Sequence, residues 1–480
     1  MRPALIAGLV VVAAAVHYSH GSPGGGAAYV FFAALLVVSG IYSRGMRGQN
    51  YWLSLTGLVE AWFVFDYCAY GTALCVLGRS KAPLPESLDQ AYGRAYWVGT
   101  AAFVAFGVGA HLAALRPAGS GTGGRGPGFR YAARWVFRLF VWAGVLSFVV
   151  LMFDGETREQ MFYAHVGLAP REGMGRYTSL LFMLPTTAVG LWYLNRRKRR
   201  YSRAVTMAAL FLLAAIHLGF GRRLMWAATM LMIFHLLKVR GIFVFRPRYL
   251  VAAVPVMVLA SVWMEASKNL GWYTAVERVN FADLADGNKV LDMVDNSVGR
   301  FDATAALISN RETLPFYYGE TFLMAPLQVL PVSAGMERSR GVREELGELI
   351  YGAFGRGLVS QEASLVGELY ANFGYAGVMG GFLGVGFFAA WLDARCHHSR
   401  SPMVAVGYGL CLFRVVHQLA TAATSWFPLT FLAFVPWVAA VGVAKVWRRQ
   451  ECRRSRQECL RHGARVPAPR PQPRVRSACA

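Results

Sequence analysis

The 480 residues are 55% apolar with a mean hydropathy of +0.38, and they carry a formal charge of +23. A soluble domain of that composition does not also repeat uncharged runs of about 20 residues, the length that crosses a bilayer. The short alternating segments of a membrane β-barrel are absent, so the expected fold is all-α: a polytopic integral membrane protein with about 12 transmembrane helices and one large extracytoplasmic loop carrying amphipathic helices.

In chain order the candidate spans cover residues 3–18, 26–43, 51–77, 94–115, 133–152, 177–195, 203–220, 222–240, 248–266, 367–391, 402–423 and 426–446. The first has Arg2 as its basic start but no small-residue cleavage site, so it reads as a span and not as a signal peptide. With the amino terminus inside, the inside segments include NRRKRRYSR at 195–203 and the tail after Trp447. They hold 31 of the 49 Lys+Arg but only 3 of the 26 Asp+Glu. That asymmetry is the positive-inside pattern, with both termini cytoplasmic. It makes the basic excess a topology and membrane-surface signal, so no nucleic-acid partner is expected. No cysteine falls squarely in an outside loop and no CxxC occurs, so neither a disulfide framework nor a zinc site is implied.

The chain therefore divides into transmembrane helices 1–9 (1–266), a large extracytoplasmic loop (267–366), transmembrane helices 10–12 (367–447) and a disordered basic cytoplasmic tail (448–480). Within the loop, Leu291, Val294, Val298, Phe301, Ala305 and Ile308 recur at helical spacing and predict an amphipathic helix. TFLMAPLQVLPV (321–332) is too short and proline-broken to span, and is expected to dip to the interface. The charged segment ERSRGVREELGE follows it. Most soluble mass faces outward, and chemistry is expected there.

Candidate functional groups are the charges in costly places. Arg222 and Arg223 (FGRRLMW) lie at the outer turn before span eight. They suit a diphosphate gripped through paired N–H donors, or else anchor the span at the interface. Arg414 forms a polar stripe with His417, Gln418 and Thr421. A charge at that depth costs roughly 2.5–3.5 kcal/mol and needs a partner or a wet cavity. Glu60 and Asp66 are its candidate partners, and a structural ion pair is the competing reading. His217 reads as a core histidine. Arg300 and Asp302 flank the amphipathic stripe, where solvated flanks are the plain reading, as they are for Glu320 and Glu362.

Glu368 opens span ten, with Tyr370 and Asn372 close behind. An acid there also simply favours the helix dipole. On a regular helix Glu368, Asn372 and Tyr375 share one sector, while Gly377, Gly381 and Gly384 make a smooth opposite face for a second helix. The first outside loop, YSHGSPGGG, carries no acidic pair for a metal, and neither a P-loop nor G-x-S-x-G occurs. No metal and no cofactor are expected.

GELYANFGYAGVMGGFLGVG resembles the signature late span of the O-antigen polymerase, or oligosaccharide repeat unit polymerase, family (Wzy-type). FGRRLMW is similar to that family's Gly-Arg entry to a middle span, and VGRFDATAAL to the arginine-bearing helix of its large outside loop. The chain departs from the family where LPVSAGMERSRGV stands in place of a Pro-Arg…Lys-Pro segment. The resemblance implies a glycosyltransferase that polymerises undecaprenyl-diphosphate-linked repeat units of O-antigen, capsule or exopolysaccharide, on the outer face of a bacterial cytoplasmic membrane. In that reading Glu368 is the base and Arg300 a catalytic cation, while Arg222, Arg223, Arg414, His417, Tyr370 and Asn372 bind the lipid-linked oligosaccharide. A flippase and a chain-length regulator would be partners. The rival readings are a polysaccharide transporter or flippase, against which no half-repeat is found, and a ligase with the same arginine logic.

Overall fold

The computed structural model describes residues 2–21, 24–45, 53–78, 80, 84, 86–115, 127–155, 175–194, 223–239, 300–312, 316–327, 364–399, 401–420 and 423–461. Among them every regular element is a helix. These are α1 (Arg2–His20), α2 (Gly25–Gly45), α3 (Leu55–Phe63), a π-helical segment (Val64–Tyr70), α4 (Gly71–Leu77), α5 (Leu88–Ala114), α6 (Pro127–Phe153) and α7 (Gly175–Leu194). They continue with α8 (Arg223–Val239), α9 (Phe301–Ser309), α10 (Glu320–Leu327), α11 (Leu365–His398), α12 (Pro402–Ala420) and α13 (Ala423–Arg461). Among the described residues four helices are long and apolar enough to cross a membrane: Leu88–Ala114, Tyr131–Phe153, Leu365–Cys396 and Thr430–Trp447. The chain thus has the features of a multi-pass membrane protein. The expected spans 203–220 and 248–266 lie outside the described residues, as do His217, Glu362, Leu291, Val294, Val298 and ERSRGVREELGE.

Among the described residues the helices form two main apolar cores and a small cluster of Ala110, Ala113 and Ala390 between α5 and α11. One gathers α1 to α5, α9 and α11 from Leu365 to Ala389; the other gathers α6, α7, α8 and α13, and α12 contributes to both. α5 and α11 run parallel and touch backbone to backbone. A Cβ on Gly109 would stand 2.0 Å from the Leu383 carbonyl oxygen, and one on Gly386 would stand 2.0 Å from that of Phe106. Small residues at a crossing allow this approach, which apolar lipid alone would not drive.

α11 is not the regular helix that the sequence predicts. Gly374 sits at φ 61° and ψ −150°, a conformation essentially reserved for glycine. The chain bends sharply there. Leu369 then meets Gly381, where a Cβ would lie 2.5 Å from its side chain, and the Leu369 carbonyl oxygen lies 2.7 Å from a Cβ on Gly377. In one straight helix residues 369 and 381 would be about 18 Å apart. The glycine face at 377 and 381 does receive a second helix, and that helix is the chain's own Leu365–Phe373. Gly384 meets nothing within 4 Å. The common sector for Glu368, Asn372 and Tyr375 does not hold, because Tyr375 lies beyond the break.

Two further differences stand out. All nine residues of α9 are buried, so Phe301–Ser309 is enclosed and not a surface amphipathic helix with solvated flanks. The last helix runs through Arg461, past the expected tail start at Arg448, because no proline interrupts the chain before Pro467. Residues 462–480 lie outside the described set.

Candidate functional site

At one end of the bundle the carboxy-terminal part of α1, the start of α5, all of α9 and the start of α11 converge. The organising group is Asp66, fully buried in the π-helical segment. Its Oδ1 accepts the amide of Arg300 at 2.6 Å and that of Phe301 at 3.2 Å. A carboxylate thereby caps the amino terminus of α9, whose first amides have no partner within the helix. The wide turn closes with the Gly71 amide on the Asp66 carbonyl oxygen, and π-bulges of this kind recur at functional sites. The Tyr67 carbonyl oxygen accepts the Tyr96 hydroxyl at 3.1 Å.

Phe301 anchors α9 in a nest of rings, 5.3 Å from Tyr67, 5.2 Å from Tyr92 and 4.8 Å from Tyr96 between centroids. Asp302, the next residue, is 1% exposed; its Oδ1 accepts the Ser80 hydroxyl at 2.7 Å and the Tyr92 hydroxyl at 3.3 Å. A solvated acid would not be held this way. His17 lies alongside, its Nε2 3.2 Å from Thr72 Oγ1.

α9 and α11 meet where Thr304 Oγ1 and Ser364 Oγ stand 2.8 Å apart. Ser364 is the N-cap of α11, accepting the Gly367 amide at 3.3 Å, and its carbonyl oxygen accepts the Glu368 amide at 2.9 Å. Arg300 and Glu368 therefore each lie four residues from this contact. Arg300 is 6% exposed and Glu368 is fully enclosed.

Asn372 holds a tight turn against α11. Its Oδ1 accepts the Gly319 amide at 2.9 Å, while Nδ2 donates to Thr321 Oγ1 at 2.9 Å and to the Glu368 carbonyl oxygen at 2.8 Å. Both amide hydrogens and the carbonyl thus serve the fold, and the Tyr317 amide adds a bond to the Ala371 carbonyl oxygen at 3.4 Å. The turn carries two residues with positive φ, Tyr318 at 44° and Gly319 at 90°. Tyr318 is thereby left mostly exposed, and Phe316 is sandwiched between Arg311, whose guanidinium carbon is 3.2 Å from the ring centroid, and Gly374. Tyr370 meets Tyr375 edge-on at 5.6 Å across the break.

The other expected site residues are placed less closely. Arg414 is buried on α12, which packs against α3. Asp66, one of its two expected partners, serves α9. Arg223 begins α8 and His417 lies on α12, while Arg222 lies outside the described residues. Among the described residues no three His, Cys, Asp or Glu side chains are grouped as metal ligands would be.

Sequence reasoning missed Thr304, Ser364, Ser80 and Tyr92, which are ordinary polar residues with no spacing signal. It also missed Asp393. Near the opposite end of the bundle that carboxylate accepts the Leu55 amide at 2.9 Å, the Thr56 amide at 3.1 Å and the Thr56 hydroxyl at 2.6 Å, together with the Tyr408 hydroxyl. The available signal was its rarity, as one of three acids on the basic side of the chain. No family model, no curated protein and no solved structure matches this chain.

Proposed function

We propose that the protein polymerises undecaprenyl-diphosphate-linked oligosaccharide repeat units on the outer face of a bacterial cytoplasmic membrane, with both of its termini in the cytoplasm. The supporting observation is that two of the three stretches carrying the resemblance, GRFDA and GELYANFG, begin helices that touch at Thr304 and Ser364. That contact puts a buried cation and a buried carboxylate one helical turn away on either side. The ends that meet here are those that the charge pattern assigns to the outside.

In this reading the Glu368 carboxylate takes the proton of the acceptor hydroxyl as that oxygen forms the new glycosidic bond. The bond between the growing glycan and its lipid diphosphate breaks, and the diphosphate leaves with the electron pair. Arg300 offsets the developing charge, joined by Arg222, Arg223 and Arg414. These guanidiniums supply the positive charge that a metal ion gives other transferases. Tyr370 lines the approach, and Asn372 acts through the 317–321 turn as a positioning residue. Glu368 is enclosed, so the acceptor has to be admitted before transfer.

The test is the full chain in proteoliposomes with undecaprenyl-diphosphate-linked repeat units. A ladder of polymer lengths is expected, with Glu368→Gln slower by at least about 100-fold. Full-length polymer from Glu368→Gln removes the base assignment. Absence of any elongation by the native chain removes the polymerase reading, and hand-over of preformed polymer to a different acceptor would identify a ligase.

A further inference from the structure

A second feature at the same end of the bundle has no place in the transfer chemistry. Along α5, Gln90, Gly93, Arg94 and Trp97 follow i, i+3, i+4, i+7 spacing and so form one face. The glycine turn that begins α2 lies against it. Gly24 has φ 69°, and a Cβ there would stand 2.8 Å from the Gly93 nitrogen, so only glycine lets the two backbones meet. Asp89 fixes the turn by accepting the Gly24 amide. With no side chains on the glycines, the space beside the contact stays open. It forms a shallow, open cavity of about 330 Å³ lined by Gly24, Gly25, Gly26, Ala27, Asp89, Gln90, Gly93, Arg94 and Trp97. That volume is at the lower end of the range for small-molecule sites.

The lining groups suit a sugar ring. Trp97 is 49% exposed and offers a flat indole face for the C–H side of a pyranose. Gln90, Asp89 and Arg94 offer an amide, a carboxylate and a guanidinium for neighbouring hydroxyls; Arg94 Nη2 also lies 3.1 Å from Glu86 Oε2, which aligns it. A phosphate fits poorly, because Asp89 already places negative charge at the amino terminus of α2. An acyl chain would use none of the polar groups.

We infer that this cavity is a saccharide subsite, holding one pyranose residue of a glycan away from Glu368. The inference rests on the transfer reading only for its choice of a glycan as ligand. The competing role of Trp97 is that of an aromatic anchor at the membrane surface.

The test uses the full chain in lipid nanodiscs with free trisaccharides built on glucose, galactose, mannose and N-acetylglucosamine, so no lipid diphosphate and no turnover are needed. At least one of these is expected to bind and to protect 24–27 and 88–97 from hydrogen exchange. Trp97→Ala should weaken that binding by about tenfold, while Trp97→Phe retains most of it. Binding by none of the four, or equal binding by native protein and Trp97→Ala, overturns the subsite. It is overturned equally if Trp97→Ala changes only thermal stability, the signature of an anchor. None of these results bears on polymer formation, so the transfer reading stands or falls separately.

Discussion

Asp66 Oδ1 receives the Arg300 amide across 234 residues of sequence, at 2.6 Å. This bond joins the π-helical segment between α3 and α4 to the start of α9. Asp66→Ala should remove the cap and leave two amides buried, lowering stability by about 2–3 kcal/mol, while Asp66→Asn keeps a carbonyl acceptor and loses less. Thermal unfolding in detergent measures the order. Equal stability for Asp66→Ala and the native chain would show that the cap contributes nothing.

The fold-back of α11 depends on Gly374 and on the glycine face that follows. Gly374→Ala forces a side chain into a region that L-residues avoid, at about 1–3 kcal/mol. Gly381→Leu pushes against Leu369. Both should release Leu365–Phe373 and raise hydrogen exchange across 365–373. Unchanged exchange in both variants would mean the bend is held elsewhere.

Asn372→Ala removes two hydrogen bonds that dock the 317–321 turn and a third to the Glu368 carbonyl oxygen, whereas Asn372→Asp keeps the acceptor for the Gly319 amide. The expected loss is about 1–3 kcal/mol for the alanine variant. If Asn372 acts through the turn, proteolysis near Tyr318 should accelerate in step with the fall in elongation. Slower elongation with an intact turn would instead indicate direct contact with substrate.

Leu55 donates its amide to the Tyr408 hydroxyl at 3.1 Å, which sets the register of α3 against α12. From that level Glu60 lies about 7.5 Å along α3 and Arg414 about 9 Å along α12, in the same direction. Both are 3% exposed. Arg414→Gln is expected to cost about 3–5 kcal/mol by stranding an acid, and adding Glu60→Gln should recover part of that loss. A double variant no more stable than Arg414→Gln would exclude the pairing.

Reciprocal glycines hold α5 and α11 together. Gly109→Val or Gly386→Val places a branched carbon where a carbonyl oxygen now sits, so helix separation and a loss of at least about 1–3 kcal/mol are expected. A cysteine crosslink between neighbouring positions on the two helices reports the spacing. Undiminished crosslinking in either variant would refute the close approach.

Much of this architecture was written in local composition. Apolar runs such as 94–115 and 133–152 satisfy their own backbone bonds as helices and need no partner to be recognised, so α5 and α6 could be read directly. Glu368 could be picked out because it opens an apolar span, and Arg300 only through the resemblance carried by VGRFDATAAL. What the sequence did not contain was the set of relations across distance. Nothing local to Asp66 announces that it caps α9, because a buried carboxylate goes to whichever amides the packing brings within reach. The α9 stretch looked like a surface helix, since periodicity reports one apolar face but not how many neighbours enclose the other. Gly374 looked like one glycine among many until its φ was known; a run of glycines permits a bend anywhere, and only the packing of Leu369 on Gly381 selects the position. Composition thus determined that the chain forms membrane helices, through the energetics of backbone groups in lipid. Tertiary contact decided which polar groups meet, because hydrogen bonds between residues hundreds of positions apart leave no local trace.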